Sequence, residues 1–585
     1  MAEKIDRITS EVILSAFLSI AEEMSLSLVR SAYSTNIKER RDCSCALFDP
    51  KGGLIALAEN IPIHLGSMQG LMEKIENGMD SWNFQKGDMV IANDPFLGGG
   101  SHLPDVTLVR PVFFEGKLCA FAANIAHWTD IGGRSPGVGT AGDSTEIYQE
   151  GLRIPPIRLA EKDTLREDVV ELMLSNMRSR EEREGDLRAQ IASLKLGERR
   201  LIELISEYDM ETMTQGIENI YDYSRRWMSK AVRDIPEGTY SFEDKMDDDG
   251  ISEDPLPIKV SIRVTHNPEP ELIFDFSGTA NQAAGGINMV RQALLATVFY
   301  AVKAVIAPEV PINTGFREAI KINAPSGSLV NAEAPAAVGG RTDTAQRVVD
   351  VILGALAEAV PEKVMAASNG ATTAVVFGGS KRVSGKDFVY VEALGGGMGA
   401  RPHKDGQDGI QTHITNTSNL PVEAMEMEYP LRVLRYQLVT DSGGPGQHRG
   451  GMAIRKDIQV LAPVEFSAHS DRHRIPPWGL KGGKPGACGK FRIFSDGEEK
   501  RVLPSKVSEV LIRKNEVLSA QTAGGGGWGP PEKREKDKTE EDLLTGKISP
   551  AQAEKVYGFR PPHKKKKRAD GKKKEAAAGR AGKKS

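Results

Sequence analysis

Apolar positions along the first quarter of the chain change their period several times. Over residues 11–33, Ile13, Phe17, Ile20, Met24 and Leu28 recur at three- and four-residue steps, which predicts an amphipathic helix with Ser10 as its N-cap. The pattern then shortens. Ala46-Leu-Phe, followed by Asp49-Pro-Lys-Gly-Gly and Leu54-Ile-Ala-Leu, predicts a β-hairpin. Residues 88–93 predict a buried strand, and after a glycine-rich loop at 97–100 a second hairpin is predicted from 106–114 and 118–127, joined at Glu115-Gly116-Lys117.

Residues 164–232 predict helices, with Leu187, Ile191, Leu194 and Leu201 at helical spacing inside a charged stretch. Beyond Pro236-Glu-Gly-Thr, residues 238–276 predict a β meander, with helices at about 288–305 and 344–360. Residues 387–480 return to glycine-rich β structure. The expected fold is therefore α+β, a large multi-domain chain of mixed, mostly antiparallel sheets and packed helices. The expected division is 1–235, 236–386 and 387–530. A charged segment, 531–585, is expected to be mostly disordered apart from a short helix near 550–556.

Composition narrows the classes. A chain of 585 residues exceeds the size at which one core stops growing, roughly 250–300 residues. Four cysteines make no disulfide framework at this length, so they are expected to be reduced. No basic, apolar leader opens the sequence and no run of about 18 apolar residues stands out, so a cytoplasmic protein without a membrane span is expected. The net charge of −4 hides an asymmetry. Residues 561–585 carry eleven Lys/Arg against Asp570 and Glu575, which leaves −13 on the first 560 residues. The basic run His563-Lys-Lys-Lys-Lys-Arg568 has no interleaved aromatics and no amphipathic period, so nucleic-acid binding is not expected from it.

The chemistry concentrates around the second hairpin. Pro104 rules out a regular helix over Ser101-His102-Leu-Pro-Asp105, so His102 and Asp105 share a turn on which i and i+3 side chains converge. Asp105 stands eleven residues before Gly116 and His127 eleven after it, so without a bulge the two face each other at the open end of the hairpin. Two imidazoles and a carboxylate with room for a further ligand suit Zn, Mn or Fe(II). No local geometry brings Asp42 or His64 to the hairpin. Glu146 and Glu150 are candidate general bases. Gly137-Val-Gly139-Thr-Ala-Gly142 matches a dinucleotide fingerprint by letter but follows Ser135-Pro136 instead of a strand, so a loop is expected there. No phosphate loop of the G-x-x-x-x-G-K-[ST] type occurs, and His469 and His473 lack the cysteine pair of a zinc finger.

Longer motifs carry a resemblance. Glu39-Arg-Arg-Asp42-Cys-Ser-Cys-Ala, Asn93-Asp-Pro95-Phe, His102-Leu-Pro-Asp105, His127 and Glu146-Ile-Tyr-Gln-Glu-Gly-Leu-Arg-Ile-Pro-Pro156 resemble the hydantoinase B/oxoprolinase family. So do Glu184-Gly-Asp-Leu-Arg-Ala-Gln190, Gln346-Arg-Val-Val-Asp350, Gly395-Gly-Gly-Met-Gly399, and the stretch from Tyr429 to Gly479; the resemblance covers about residues 5–530. It implies a B-type subunit of an ATP-dependent hydantoinase, oxoprolinase or lactamase, related to subunits of acetone and acetophenone carboxylases. It also implies metal ligation by Asp42, His102, Asp105 and His127, and ATP handled by a separate A-type subunit in a hetero-oligomer. The expected reaction is ring opening of a cyclic amide after phosphorylation of its carbonyl, with Glu146 or Glu150 managing the proton. Ketone carboxylation is the alternative, and a non-catalytic scaffold the second alternative.

Overall fold

The computed structural model describes residues 5–58, 60–137, 142–379 and 387–560, and within them the chain is α+β, with four sheets and packed helices. The Gly137–Gly142 motif falls largely, and the basic run at 563–568 wholly, outside the described residues.

The first sheet positions the site. Its strands are β1 (Cys43–Phe48), β2 (Leu54–Leu57), β3 (Met89–Ala92), β4 (Asp105–Phe114), β5 (Lys117–His127), β6 (Ile157–Glu161) and β7 (Thr164–Leu165), in the order β2-β1-β5-β4-β3-β6-β7 with every pair antiparallel. Helix α1 (Arg7–Ser31) lies against β1 and β2. The one-turn helix α2 (Thr35–Lys38) follows it, and α3 (His64–Asn77) touches β1, β4 and β5. Helix α4 (Arg180–Tyr208) crosses β4 and β5 and packs on α1, while α5 (Met210–Arg233) packs beside both. All six residues of β1 and all four of β3 are buried, which explains why β3 reads as a continuous apolar run without alternation.

Helix α1 starts earlier than its apolar period suggests. Asp6, not Ser10, is the N-cap and accepts the Thr9 N–H at 3.0 Å, which leaves Ser10 inside the first turns. By length and hydropathy alone α1 passes for a bilayer span, although Glu22 and Glu23 interrupt its apolar run. Its apolar face, Ile13, Phe17, Ile20, Met24 and Leu28, is nevertheless buried in the core.

The β4–β5 hairpin reaches the expected pairing by a different route. Its loop is only Glu115-Gly116, both at positive φ (48° and 78°), the two-residue turn whose twist suits a hairpin. That turn alone would place Asp105 opposite residue 126. A bulge at Cys119, between the pairs Phe113↔Leu118 and Val112↔Ala120, adds one residue to β5 and restores Asp105↔His127.

The second sheet, β8 (Gly238–Met246), β9 (Leu256–Thr265), β10 (Glu271–Asp275) and β11 (Ile320–Asn323), is antiparallel except for the β10–β11 pair. Helix α6 (Arg291–Val305) packs on α3, and α7 (Arg341–Ala359) packs on α6, β8 and β9. A third sheet has the order β13-β12-β16-β19, from β12 (Thr373–Gly379), β13 (Phe388–Leu394), β16 (Val464–His469) and β19 (Val507–Ile512). The fourth has the order β14-β15-β20-β17-β18, from β14 (Leu431–Leu438), β15 (Ile454–Val460), β17 (Lys490–Ser495), β18 (Glu498–Leu503) and β20 (Val517–Gln521). One buried apolar cluster runs from Ile13 to Ile414 and includes residues on both sides of position 235; a second spans Val375 to Ala520.

Residues 531–560 depart from the expected disorder. Helix α8 (Lys536–Leu544) forms there as well as α9 (Pro550–Lys555), the short helix expected near 550–556. The charged composition that suggested disorder is what anchors the segment. Buried Arg534 bonds Asp405 (2.8 and 2.7 Å) and Asp542 (2.7 Å), Asp542 also meets Arg449 at 3.3 Å, and Ile548 and Ala553 are buried.

Candidate metal centre

The turn ahead of β4 and the last residue of β5 meet as the hairpin geometry requires. His102 Nε2 is 3.2 Å from Asp105 Oδ1, Asp105 is the cross-strand partner of His127, and the two imidazole centroids are 5.0 Å apart. One potential ligand atom from each of His102, Asp105 and His127 lies within 4.8 Å of the others.

Strand pairing supplies what local geometry could not. Because β1 runs antiparallel to β5 with Cys43 opposite Ala126, Asp42 sits beside His127, whose N–H donates to the Asp42 carbonyl at 3.0 Å. His64 opens α3, and its Nε2 is 3.6 Å from both Asp42 Oδ1 and Asp105 Oδ1. Ser44 Oγ, from β1, is 3.1 Å from His64 Nδ1 and holds the ring from its other side. His64 thus belongs to the cluster as much as Asp42 does. All five residues are buried.

The donor set fits a divalent transition metal. Asp105 Oδ1 is fully buried and receives no hydrogen bond, an arrangement that costs free energy unless a cation or other partner compensates it. Burial drives the His102 imidazole down to about 4, helped by the Arg341 charge, and pushes His127 well below its ordinary value. Both rings are therefore neutral at physiological pH, the form that offers a lone pair to a metal. Burial pushes the Asp42 carboxyl up, with His64 and Arg40 opposing. For Asp105, burial acts upward too, but the Arg341 guanidinium at 2.9 Å opposes it and the group is held well below the usual carboxylate range.

A second layer fixes the first. Arg341, the first residue of α7, donates from Nη2 to Asp105 Oδ2 (2.9 Å) and from Nε to Ser101 Oγ (2.9 Å); Ser101 itself donates to Asp105 Oδ2 at 2.7 Å. Asn36, in α2, donates to the His127 carbonyl at 2.9 Å and is held by Arg40 Nη1 at 2.6 Å. His469, at the end of β16, presents Nδ1 to Asp343 Oδ2 at 2.8 Å, and Asp343 Oδ1 accepts the Thr372 N–H at 2.8 Å. A carboxylate only accepts, so His469 Nδ1 carries a hydrogen and Nε2 is the ring atom left for the cavity side. Asp42, His64, His102, Asp105 and His127 line one cavity of about 50 Å³ whose wall also includes Arg40, Arg341 and His469.

Glu146 and Glu150 are placed differently from the cluster residues. Glu146 is exposed at the N-cap of the one-turn helix Ile147–Glu150 and is not part of the cavity wall. Glu150 is fully buried and accepts the N–H groups of Gly339 (2.7 Å) and Val338 (3.1 Å), so it ties that helix to the loop entering α7. Burial raises its carboxyl to about 8 against the pull of those N–H groups. Sequence reasoning missed Arg341 and the Asp343–His469 pair altogether. The one local signal was Gly339-Gly340 immediately before a helix that opens Arg341-Thr342-Asp343.

The chain is similar to known proteins over nearly its whole described length. The sequence profile of the hydantoinase B/oxoprolinase family matches residues 6–531. An uncharacterised protein of Methanocaldococcus jannaschii is 38% identical over 560 residues, 94% of this chain and 96% of its own. A protein of a Pseudomonas species, named as the B-type subunit of a D-/L-hydantoinase, is 33% identical over 570 residues, 95% of each chain. Among solved structures, that of an ATP-dependent caprolactamase from Pseudomonas jessenii superposes with a TM-score of 0.88 at 29% identity, covering 96% of this chain and 97% of that one.

Proposed function

The chain belongs to the hydantoinase B/oxoprolinase family, and from that premise we propose that it is the metal-carrying subunit of an ATP-dependent cyclic-amide hydrolase, working in the cytoplasm with an A-type subunit that binds ATP. The observation that carries this reading is the buried convergence of Asp42, His64, His102, Asp105 and His127 on one cavity. A relative named as a B-type hydantoinase subunit and a neighbour named as an ATP-dependent caprolactamase support the substrate class.

An unactivated amide is a poor electrophile. In this reading the partner moves the γ-phosphoryl group of ATP to the amide oxygen, giving an O-phosphorylated imidate and ADP. Water adds to the imidate carbon, the ring C–N bond breaks with a proton delivered to nitrogen, and an acyl phosphate remains. A second water hydrolyses that acyl phosphate to a carboxylate and inorganic phosphate. A divalent metal held by the His/Asp cluster would acidify bound water and polarise the oxygen on the reacting carbon.

The chain's own groups do the rest. Arg341 and Ser101 hold Asp105 in one orientation, and burial keeps His102 and His127 neutral. Asp343 fixes the His469 ring through Nδ1 in the cavity wall, and in this reading His469 Nε2 takes the proton of the attacking water and returns it to the leaving nitrogen. That role replaces the one expected of Glu146 or Glu150. An adjoining cavity of about 230 Å³, which shares Ile61 with the metal cavity and is bounded by Pro62, Tyr300, Ile312 and Asn416, is sized for a small ring.

Mixing the full chain with its A-type partner and ATP, against hydantoins, 5-oxoproline and lactams, tests the reading. Ring-dependent release of phosphate with an opened amino-acid product is expected. Carboxylation of a ketone without ring opening would assign the alternative activity, and a chain that takes up no metal when it is supplied and supports no turnover would leave a scaffold.

A further inference from the structure

Among the described residues, three donors in the wall of the metal cavity are buried without a hydrogen-bond partner: Arg40 Nε, Thr342 Oγ1 and Thr417 Oγ1. Arg40 is 3% exposed, Thr342 5% and Thr417 8%. Each such vacancy costs about 1–3 kcal/mol, more for a charged group, so three around one small space point to a ligand that completes them. They come from distant parts of the chain: the segment after α2, the first turn of α7, and the loop after β13.

The chemistry of that ligand follows from charge. Arg40 cannot swing away, because Nη1 is held by Asn36 Oδ1 at 2.6 Å and the Val391 carbonyl at 2.7 Å. Arg341 is held by Ser101 and Asp105 in the same wall. Thr342 lies in the first turn of a 19-residue helix, where the helix dipole favours negative charge. Three unpartnered donors, one of them on a guanidinium, beside a second guanidinium and a helix N-terminus call for an acceptor-rich ligand: a dianion such as phosphate answers all of them at once, and a water does not.

Space sets the size of the dianion. About 50 Å³ admits roughly four water-sized positions, enough for a tetrahedral oxyanion and too little for an organic ring. We propose that Arg40, Arg341, Thr342 and Thr417 form a phosphoryl-binding subsite beside the candidate metal, which receives the phosphorylated end of the substrate and holds the phosphate released from it. The subsite deepens the hydrolase reading and rests on it for the identity of the substrate, although its binding chemistry stands on these four residues alone.

Inorganic phosphate is the probe. The full-length chain is loaded with Mn(II), metal uptake is counted by elemental analysis, and phosphate binding is measured by calorimetry and by Mn(II)-induced ³¹P relaxation. Thr342→Val and Thr417→Val remove only a hydroxyl that has no partner in the fold, so each is expected to leave the melting temperature unchanged or raised. Each is expected to weaken phosphate binding about tenfold, as loss of one hydrogen bond to a charged group does. Arg40→Met is expected to abolish it. Phosphate bound equally well by both valine variants, or bound without ³¹P relaxation to a chain that has taken up Mn(II), overturns the subsite and marks an adventitious anion only. Metal uptake without phosphate binding refutes the subsite and spares the metal reading; phosphate binding without metal uptake does the reverse.

Discussion

Substituting Glu150 by Gln separates a structural carboxyl from a catalytic one. Glu150 is fully buried, accepts backbone N–H groups from Val338 and Gly339, and keeps its proton to about pH 8 because burial opposes ionisation. In the unfolded chain the same carboxyl releases its proton near 4.5. The unfolded state is therefore favoured progressively as pH rises: the wild type has its full stability from this group below about 4.5 and loses it as pH climbs to about 8. A shift of that size corresponds to roughly 5 kcal/mol. Spread over a chain of 585 residues unfolding as one unit, it amounts to about 4 °C in melting temperature. A glutamine in its place mimics the protonated acid and does not titrate. Melting curves of wild type and Glu150→Gln at pH 5, 7 and 9 should diverge, the variant gaining relative to the wild type with each step, while turnover of the reconstituted enzyme at pH 7 stays near wild type. A temperature difference that is flat across this range would refute the burial argument. Loss of turnover at unchanged stability would return Glu150 to the proton-transfer role.

Three further substitutions probe the buried charges. Arg341→Met leaves the Asp105 carboxylate buried without its cation and should destabilise the metal-free chain by about 3–5 kcal/mol; in the Arg341→Met/Asp105→Asn double variant, denaturant unfolding should show much of that loss recovered. Lys456→Met strips the buried Glu392 of its partner, at 2.7 and 2.8 Å, and should cost a similar amount while metal content measured by elemental analysis stays constant, because the pair is not part of the cavity wall. Arg534→Ala breaks the contacts to Asp405 and Asp542, so hydrogen exchange should speed up across 531–560 and remain unchanged in β4 and β5.

How much of this was legible depended on how far apart the cooperating residues lie in sequence. The turn at Pro104 and the β4–β5 hairpin put His102, Asp105 and His127 together through contacts within 25 residues, and the pattern of apolar and turn residues predicts such contacts. Even there the Asp105↔His127 register depends on the Cys119 bulge compensating for the short loop, a cancellation the sequence does not display. Asp42 came in through the β1–β5 pairing and His64 through the start of α3; no periodicity encodes which strands become neighbours. Arg341 and His469 lie more than 200 residues beyond the hairpin, in elements whose packing is set by the whole core. At 531–560 composition misled because ion pairs, not apolar burial, hold most of the segment in place.

Metal stoichiometry decides whether this chain carries an ion at the His/Asp cluster. The full-length protein, incubated with Zn(II), Mn(II) or Fe(II) and freed of excess, should retain about one divalent ion per chain of at least one of these metals. The His102→Ala/His127→Ala double variant should retain a trace while keeping its circular-dichroism spectrum. A wild-type chain that holds none of the three metals, or a double variant that holds as much as the wild type, would rule out a metal centre at these residues.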